Sequence, residues 1–465
     1  MPWRTERSLD DNSSNQFLPG FWVSVHDNVY DEGNWGYLGY YYIGTAGDGG
    51  FGIMLMYIDP GTGSMLFTVL IGVLSAGIYG LRSSLIKLRF LLSGGRQEAK
   101  QDNVTPVDIF TDDKRYWNVF EPICDELEER GCTTRYLTAS PNDPALEKPY
   151  EHVSCEFVGE GNKAFAKLNM VKADLVLSST PGLYVYQWKR SRDARFYAHI
   201  VHAISDATLY RMFGVDYYDA VLLTGDYQVR QIRELERLRN LPAKELPVVG
   251  ITYMDAMKAR LDSAEPLPEG ERTVLLAPSW GKSAIFSLYG GKIVDALLKT
   301  GYHIIIRPHP QSLTSEAELM GKLKQQYPET EQLEWNFDND NFDVLRRSDV
   351  MISDFSGVIF DFALVFDRPV IYTDPGAMDT APYDACWLDE ELWTFETLPK
   401  IGRQLDMDSL QDMKSLIDDC IGNPAFQQGR DTARMQCWAH QGKAAQMTVD
   451  YLMSKLKETS EPQEA

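Results

Sequence analysis

The sequence lacks paired cysteines and an excess of basic residues, and each absence excludes a class of protein. The six cysteines among 465 residues form no Cys-x-x-Cys pair and show no ligand-like spacing, so neither a disulfide framework nor a zinc site is predicted. The 45 basic residues are outnumbered by 67 acidic ones, giving a net charge of −22, which argues against a nucleic-acid-binding chain. Hydrophobic residues make up 44% and charged residues 24%, which indicates a globular protein without long disorder.

A strongly apolar stretch without charged residues runs from Pro60 to Leu81. At about 1.5 Å of rise per residue it is long enough to cross a bilayer as one helix. Basic residues follow it, beginning with Arg82 and Lys87. The positive-inside rule therefore predicts a single-pass protein of the cell membrane whose catalytic part is cytoplasmic. We assign residues 60–100 to a transmembrane helix and a basic juxtamembrane segment, with a buried core helix or a cleaved signal sequence as the alternatives.

Residues 1–59 are rich in Gly, Asp, Asn and Tyr and show neither helical nor strand periodicity. They are expected to be a disordered tail, or the product of a start codon placed too early, with Met54 or Met56 as the true first residue.

From residue 104 onward, short apolar runs alternate with helical patterns, which predicts an α/β fold. Strands are expected at 107–111, 135–138, 173–179, 197–202, 220–224 and 247–250, and then at 273–277, 303–307, 350–353 and 370–373. The charged segment 261–272, with two prolines, is typical of a linker. The sequence therefore predicts two Rossmann-like domains, 104–260 and 273–457, that face a cleft. The helices of residues 433–456 are expected to cross back to brace the first domain.

One predicted strand ends in Arg307-Pro308-His309-Pro310. In a parallel sheet, the carboxyl ends of the strands border the ligand crevice. Arg307 is a permanent cation whose planar fork suits phosphate oxygens. His309 points to the same side if the extended backbone continues, and it can donate a hydrogen bond or a proton. The pattern favours phosphate recognition, although a structural arginine and histidine would give the same short motif.

A second predicted strand ends in Ser353-Asp354-x-Ser356-Gly357 and opens an apolar helix. Serine side chains and free backbone N–H groups at a helix start form an anion site without a lysine. Asp361 lies one turn further and could accept hydrogen bonds from ribose hydroxyls. The alternative is that Ser356 is only a helix cap, but a charge between Phe360 and Phe362 in an apolar helix needs a reason.

Two further elements complete the set of candidate residues. His202 ends a predicted strand of the first domain, and its odd spacing from His199 predicts that the two side chains face opposite sides of the sheet. A lone histidine at such a place is more often structural than catalytic. Ser279, in the loop Ala277-Pro278-Ser279-Trp280, could line the donor site of the second domain. Together these residues predict an enzyme acting on a phosphorylated, nucleotide-linked substrate.

The order of the Ser279 loop, the Arg307–His309 element and the Ser353–Asp361 element resembles the CDP-glycerol glycerophosphotransferase family of teichoic acid synthesis, over about residues 196–380. The resemblance implies a GT-B-type pair of domains, with the acceptor on the first and the nucleotide donor on the second. It implies membrane association and transfer of glycerol phosphate from CDP-glycerol to a hydroxyl of a membrane-linked glycan or polyol-phosphate acceptor, with release of CMP. No cofactor is expected, and Mg²⁺ stays open.

Roles for individual residues follow from the same resemblance. His202 matches the proposed general base, and His309 is the second catalytic candidate. The donor would be bound by a larger set: Ser279, Arg307, Ser353, Asp354, Ser356, Gly357 and Asp361. No metal ligand is assigned.

The sequence departs from the family pattern in two places. The usual Trp-His-Gly-Thr-x-x-Lys becomes Val-His-Ala-Ile-Ser-Asp-Ala, so that Ala203 replaces glycine and the lysine is missing. The second serine of Ser-Asp-x-Ser-Ser becomes Gly357. Two alternative functions therefore stay open: a GT-B nucleotide-sugar glycosyltransferase or epimerase, and a non-catalytic membrane-tethered relative.

Overall fold

The computed structural model describes residues 21–25, 41–45, 104–268, 270–338, 340–354, 356–374, 376 and 378–460. The chain divides into two compact units, Met1–Gln101 and Asp102–Ala465. In the first, strands β1 (Phe21–Val25) and β2 (Tyr41–Thr45) pair antiparallel. Both segments are rich in the aromatic and β-branched residues that favour strands. The expectation that residues 1–59 are a disordered tail or follow a misplaced start stays a prediction. The predicted transmembrane helix at 60–81 lies outside the described residues, and no helix within them is long and apolar enough to cross a membrane.

The second unit begins with a six-stranded parallel sheet. Its strands are β3 (Thr105–Thr111), β4 (Thr134–Thr138), β5 (Val153–Phe157), β6 (Ala173–Ser178), β7 (Ala194–Ile200) and β8 (Ala220–Leu222). They lie in the order β5-β4-β3-β6-β7-β8. This is the doubly wound Rossmann order, in which the crevice opens beyond the carboxyl ends of the two central strands, here β3 and β6.

A second parallel sheet repeats the same strand order. It contains β9 (Thr273–Ala277), β10 (His303–Ile306), β11 (Leu333–Trp335), β12 (Val350–Ser353), β13 (Val370–Tyr372) and β14 (Gly402–Gln404). The order is β11-β10-β9-β12-β13-β14, which places its crevice at β9 and β12. Every residue of β9 and β12 is buried, as expected for parallel strands covered on both faces. The predicted pair of Rossmann-like domains is confirmed.

Helices connect the strands in both halves. In the first half they are α1 (Trp117–Glu129), α2 (Asn162–Leu168), α3 (Asp226–Arg239) and α4 (Thr252–Ser263). In the second half they are α5 (Ile285–Tyr289), α6 (Lys292–Leu298), α7 (Ser312–Ser315), α8 (Ala317–Gln326), α9 (Phe342–Arg346), α10 (Val358–Phe360), α11 (Trp393–Ile401), α12 (Met413–Gly422), α13 (Pro424–Cys437) and α14 (Ala444–Ser460). A π-helical turn at Asp361–Val365 continues α10. Short 3₁₀ turns lie at Lys114–Tyr116, Pro144–Glu147, Ala207–Leu209, Asp384–Trp387 and Ser409–Asp412.

Helix α14 packs on the first sheet although it ends the chain. Its Val449 and Leu452 are buried in the same core cluster as α1 and strands β3 and β6. The range 273–457 predicted for the second domain therefore includes a helix whose apolar face belongs to the first core.

Some strands differ from the prediction for local reasons. The segment 247–250 forms no strand and contributes one isolated bridge, between Leu223 and Val248, because Pro247 has no N–H to donate. Strands β5, β11 and β14 were not predicted. They are short and lie at or near the edges of their sheets, where the apolar signal is weak.

A buried aspartate of the first half caps a helix of the second half and so connects the two halves of the second unit. The carboxylate of Asp206, in the loop after β7, accepts hydrogen bonds from the backbone N–H groups of Trp393 at 2.8 Å and Thr394 at 2.9 Å. These are the first residues of α11, whose unpaired N–H groups need such an acceptor. Asp206 is 1% exposed, so this contact fixes the loop that carries His202 against the second half.

Candidate active site

His202 lies two residues beyond the end of β7 and is crowded by aromatic side chains. The ring of Tyr116 is centred 4.5 Å from the imidazole, and the hydroxyl of Tyr210 lies 3.5 Å from Nδ1. Burial lowers the pKa of His202 to about 4, a hydrogen bond to the backbone carbonyl of Ser179 opposes this, and the positive charge of Arg115 adds to it. The imidazole is therefore neutral near pH 7, which is the form a general base requires.

His199 does not face away from His202 as the alternation predicted. The rings of both histidines contact Tyr210, with centroids 4.9 Å and 5.9 Å from it. The prediction was wrong because β7 ends at Ile200, so the period-two rule does not extend to residue 202. His199 is fully buried with both ring nitrogens unpaired, and burial lowers its pKa to about 3.

Arg307 follows β10, and its guanidinium donates hydrogen bonds to residues of the same half of the molecule. One terminal nitrogen donates to the side chain of Asn336, and the other donates to the backbone carbonyl of Asp338 at 2.7 Å. Burial lowers the pKa of Arg307, but a guanidinium remains charged at neutral pH. The cation therefore lies at the predicted strand end, but both terminal nitrogens already donate to neighbours.

One ring nitrogen of His309 already has a hydrogen-bond partner. Its Nδ1 accepts a hydrogen bond from the backbone N–H of Gln311 at 3.1 Å. The neutral ring must then carry its proton on Nε2, which forms no hydrogen bond with a described residue and can donate to a ligand oxygen. Burial lowers the pKa of His309, Arg115 lowers it further, and Asp354 acts in the opposite direction.

Ser353 and Asp354 organise the backbone at the end of β12. The hydroxyl of Ser353 donates to the carbonyl of Ala277 at 2.6 Å, at the end of β9. The carboxylate of Asp354 accepts from the N–H groups of Ser279, at 2.9 and 3.1 Å, and of Ile285, at 3.0 Å. Both residues are buried. In the structure they hold the Ser279 loop against the end of β12. Their direct contact with the donor stays a prediction.

Asp361 is buried, with 9% of its surface exposed. Its carboxyl accepts a hydrogen bond from the hydroxyl of Tyr253 on α4. Burial raises the pKa of Asp361 to about 7, and the bond from Tyr253 only partly offsets this. The charge that the sequence singled out in an apolar helix is thus a carboxyl that accepts a hydrogen bond from a buried tyrosine. Its contact with a ribose stays a prediction.

The start of α10 lies directly against the loop of His202. A Cβ built on Gly357 would lie 3.9 Å from the Cβ of Ala203, which is ordinary van der Waals contact. Ser356, which precedes Gly357, is partly exposed. The structure therefore brings together His202 of the first half and the Ser356–Gly357 turn of the second, as the paired motifs predicted.

Arg115 is the residue that the sequence analysis missed. It lies in the turn after β3, where Asp113 accepts from its backbone N–H at 2.8 Å and from its Nε at 3.0 Å. Its positive charge lowers the pKa of both His202 and His309, so it lies near both candidate catalytic groups. The available signal in the sequence is the pair Asp112-Asp113 directly after the predicted strand 107–111, followed by Lys114 and Arg115.

Among the described residues, no group of three or more His, Cys, Asp or Glu side chains is arranged to hold a metal ion. The six cysteines are unpaired thiols, and the four that are buried are Cys124, Cys132, Cys420 and Cys437.

The two doubly wound sheets and the residues at their facing carboxyl ends define a GT-B-like protein. The resemblance seen in the sequence is confirmed: residues 247–385 match the family described as CDP-Glycerol:Poly(glycerophosphate) glycerophosphotransferase. That segment includes Arg307, His309 and the Ser353–Asp361 element, but it excludes His202. No curated protein matches the chain.

Solved structures share the fold at low sequence identity. The wall teichoic acid polymerase TagF, in a variant soaked with CDPG, is 16% identical, with a TM-score of 0.50, over 83% of this chain and 99% of that chain. UDP-GlcNAc 2-epimerase from Methanocaldococcus jannaschii, in complex with UDP-GlcNAc and UDP, is 13% identical, with a TM-score of 0.51, over 75% of this chain and 100% of that chain.

Proposed function

We propose that the protein transfers glycerol phosphate from CDP-glycerol to a hydroxyl of a membrane-linked acceptor, in the synthesis of teichoic acid or a related cell-surface polymer. The family match over the second half supports this choice of donor. The observation that carries the proposal is the packing of Gly357 beside Ala203, where a Cβ built on Gly357 would lie 3.9 Å from the Cβ of Ala203. It brings the candidate base and the candidate donor loop to the two sides of one crevice.

On the donor side, the crevice beyond β9 and β12 would receive the pyrophosphate of CDP-glycerol. The Nε2–H of His309 would donate a hydrogen bond to it, because Nδ1 already accepts one from the backbone N–H of Gln311. Arg307 adds a fixed positive charge close by. Charge that builds up on the leaving CMP would be stabilised by these groups, which are already oriented before the substrate binds.

On the acceptor side, His202 would take the proton of the acceptor hydroxyl. The hydroxyl oxygen then forms a bond to the β-phosphorus of CDP-glycerol, and the bond from that phosphorus to the bridging oxygen breaks. CMP leaves with the electron pair of the broken bond, and the proton remains on His202 until it is lost to solvent. A pKa near 4 makes His202 a weak base, so the step depends on the positioning of the hydroxyl as well as on proton transfer.

The membrane anchor at residues 60–81 and the cytoplasmic location of the two Rossmann-like domains remain part of the proposal. Their support is the charge-free stretch and its basic flank.

The test is the release of CMP from CDP-glycerol by the full chain in detergent, with a lipid-linked disaccharide acceptor. His202→Ala and His309→Ala should each lower the rate on the order of 100-fold or more if the groups act mainly in the transition state. His303→Ala is the matched control, because His303 lies at the opposite end of β10 and bonds the carbonyl of Glu331. It should retain the wild-type rate.

The same experiment separates the alternatives. Release of UDP from a UDP-sugar, with CDP-glycerol inert, would replace the proposal by a nucleotide-sugar transferase or epimerase. Failure to bind any cytidine or uridine nucleotide would favour the non-catalytic relative. Equal rates for the His202 and His303 variants would refute the assignment of the base.

A further inference from the structure

Arg115 lies in the turn that connects β3 to α1, where the crevice of the first half opens. Strand β3 is one of the two central strands of its sheet, and doubly wound sheets bind their ligands beyond the carboxyl ends of these strands. The side chain of Arg115 is 63% exposed, so it is accessible to a ligand. Arg115 therefore occupies a ligand-binding position of the fold, although the proposed transfer gives it no role.

One nitrogen of the Arg115 guanidinium has a partner that fixes the direction of the side chain. Nε donates to the carboxylate of Asp113 at 3.0 Å, and the backbone N–H of Arg115 donates to the same oxygen at 2.8 Å. The two terminal nitrogens form no hydrogen bond with any residue that the structure describes. Their N–H groups form the planar fork that suits phosphate oxygens. The bond to Asp113 therefore orients the side chain before a ligand binds and leaves the fork available.

The turn that carries Arg115 packs against the candidate base. The ring of Tyr116, the next residue, is centred 4.5 Å from the imidazole of His202. The positive charge of Arg115 also acts on His309, which belongs to the second half. Arg115 therefore lies near the base on one side and near the donor site on the other. A phosphoryl group that passes from the donor to the acceptor hydroxyl occupies the space between these two histidines.

Arg307, the cation of the donor site, already donates from both of its terminal nitrogens. Its acceptors are the side chain of Asn336 and the backbone carbonyl of Asp338. Arg307 thus supplies positive charge, but each end of its fork has a protein partner. During transfer, negative charge is spread over the nonbridging oxygens of the phosphoryl group, and these oxygens need hydrogen-bond donors. Arg115 can provide such donors from the first half.

We propose that Arg115 binds the phosphoryl group that is transferred, with its terminal nitrogens donating to nonbridging oxygens on the β-phosphorus of the donor. The inference rests on the proposed transfer of glycerol phosphate and adds a catalytic residue to it. While the acceptor oxygen bonds to phosphorus and the bond to the bridging oxygen breaks, the guanidinium stabilises charge on the nonbridging oxygens and keeps all of its protons. CMP leaves toward the second half, where Arg307 and His309 lie.

The test compares Arg115→Gln and Arg115→Lys with the control Lys114→Gln, in the full chain in detergent at pH 8. Lys114 is exposed and carries the same charge one residue earlier. The kcat for release of CMP from CDP-glycerol should fall on the order of 100-fold in Arg115→Gln, because an oriented donor to the transition state is lost. Lysine keeps the charge but not the fork, so Arg115→Lys should recover part of the rate. Lys114→Gln should retain the wild-type rate.

An effect of Arg115 through the histidines alone would have the opposite sign. Its charge lowers the pKa of His202, so removing the charge makes that imidazole a stronger base. At pH 8 the imidazole is neutral in both proteins, and proton removal would be as fast as in the wild type or faster. A lower kcat at pH 8 therefore reports contact with the phosphoryl group. A kcat equal to or above that of the wild type would overturn the inference.

Calorimetric titration with inorganic pyrophosphate separates this inference from the proposed function, because it needs neither CDP-glycerol nor turnover. The affinity should fall about tenfold in Arg115→Gln, as expected when one hydrogen bond to a charged group is lost, and should be unchanged in Lys114→Gln. If the wild type released no CMP, the proposed function would fail, and this titration would still decide the role of Arg115.

Three results would overturn the inference. The first is a wild type that does not bind pyrophosphate. The second is equal weakening by Arg115→Gln and Lys114→Gln, which would mean that Arg115 acts only by general attraction of anions. The third is a higher KM for the acceptor with an unchanged kcat in Arg115→Gln, which would assign Arg115 to the binding of the acceptor.

Discussion

The buried carboxyl of Asp361 provides a direct test of whether this residue contacts a ligand or stabilises the fold. Burial raises its pKa to about 7, against 3.8 for an accessible aspartate. Its hydrogen-bond partner is Tyr253. A group with these properties makes the stability of the protein depend on pH, whether or not a substrate is bound.

The sign of this dependence follows from the number of protons bound. Between pH 4 and 7 the folded state keeps a proton on Asp361 that the unfolded state has lost. The contribution of that proton to stability is fully present below pH 3.8 and is lost as the pH rises through 7. One pKa unit corresponds to about 1.4 kcal/mol, so the free energy of unfolding should fall by about 3 kcal/mol between pH 5 and pH 8 through this group.

Urea unfolding of the wild type and Asp361→Asn at pH 5 and pH 8 measures the effect. Asparagine keeps the shape and an acceptor for the Tyr253 hydroxyl but does not titrate. The difference in unfolding free energy between the two proteins should therefore change by about 3 kcal/mol over this range, with the variant gaining relative to the wild type at pH 8. Because other groups titrate in both proteins, only the difference between them is interpreted.

Binding of CDP-glycerol, measured in parallel by calorimetry, should be the same for the two proteins. A pH-independent difference in stability, together with a tenfold loss of nucleotide affinity in Asp361→Asn, would refute the structural role. It would restore the role that the sequence predicted, contact with the ribose.

Two further predictions concern Arg115 and the close-packed glycines. Arg115→Gln should raise the pKa of both His202 and His309, because it removes a positive charge that disfavours their protonated forms. NMR titration of the two imidazoles should then show shifts to higher pH. Unchanged titrations would mean that the guanidinium is distant from both rings. Gly225→Ala should destabilise the protein by about 2 kcal/mol or more, because the new Cβ would lie 2.0 Å from a backbone oxygen. Gly357→Ala, whose new Cβ would have its nearest neighbour 3.9 Å away, should change the midpoint of urea unfolding little. Equal effects of the two substitutions would contradict the packing.

The ends of the strands that precede the candidate site residues were predicted well, because the apolar runs of these strands stop sharply at polar residues. Strand β12 ends at Ser353 as predicted, and β10 ends one residue before Arg307. The alternation of strands and helices was sufficient to predict two Rossmann-like domains. The strand order within each sheet was not predictable in the same way, because it depends on which strands pair, and no local pattern records this.

The partners of polar side chains were the least predictable feature. Nothing near Arg307 in the sequence shows that Asn336 and Asp338 would accept its hydrogen bonds. Asp361 was singled out correctly as a charge that needs a reason, but its partner Tyr253 lies 108 residues away in the chain. Tertiary packing determines which distant residues form such pairs. Whether Arg307 and Asp361 have protein partners therefore could not be predicted from the sequence near them.

The two departures from the family pattern lie against each other in the structure. Ala203 adds a methyl group where the pattern has glycine, and Gly357 removes a side chain where it has serine. Because the Cβ positions are 3.9 Å apart, the added methyl group lies beside the space from which the side chain was lost. The position of the missing lysine is Ala207, which is buried, while a cation near His202 is supplied by Arg115. The altered motif therefore keeps a packed crevice with a neutral imidazole and a neighbouring positive charge, which favours an active transferase over a non-catalytic relative.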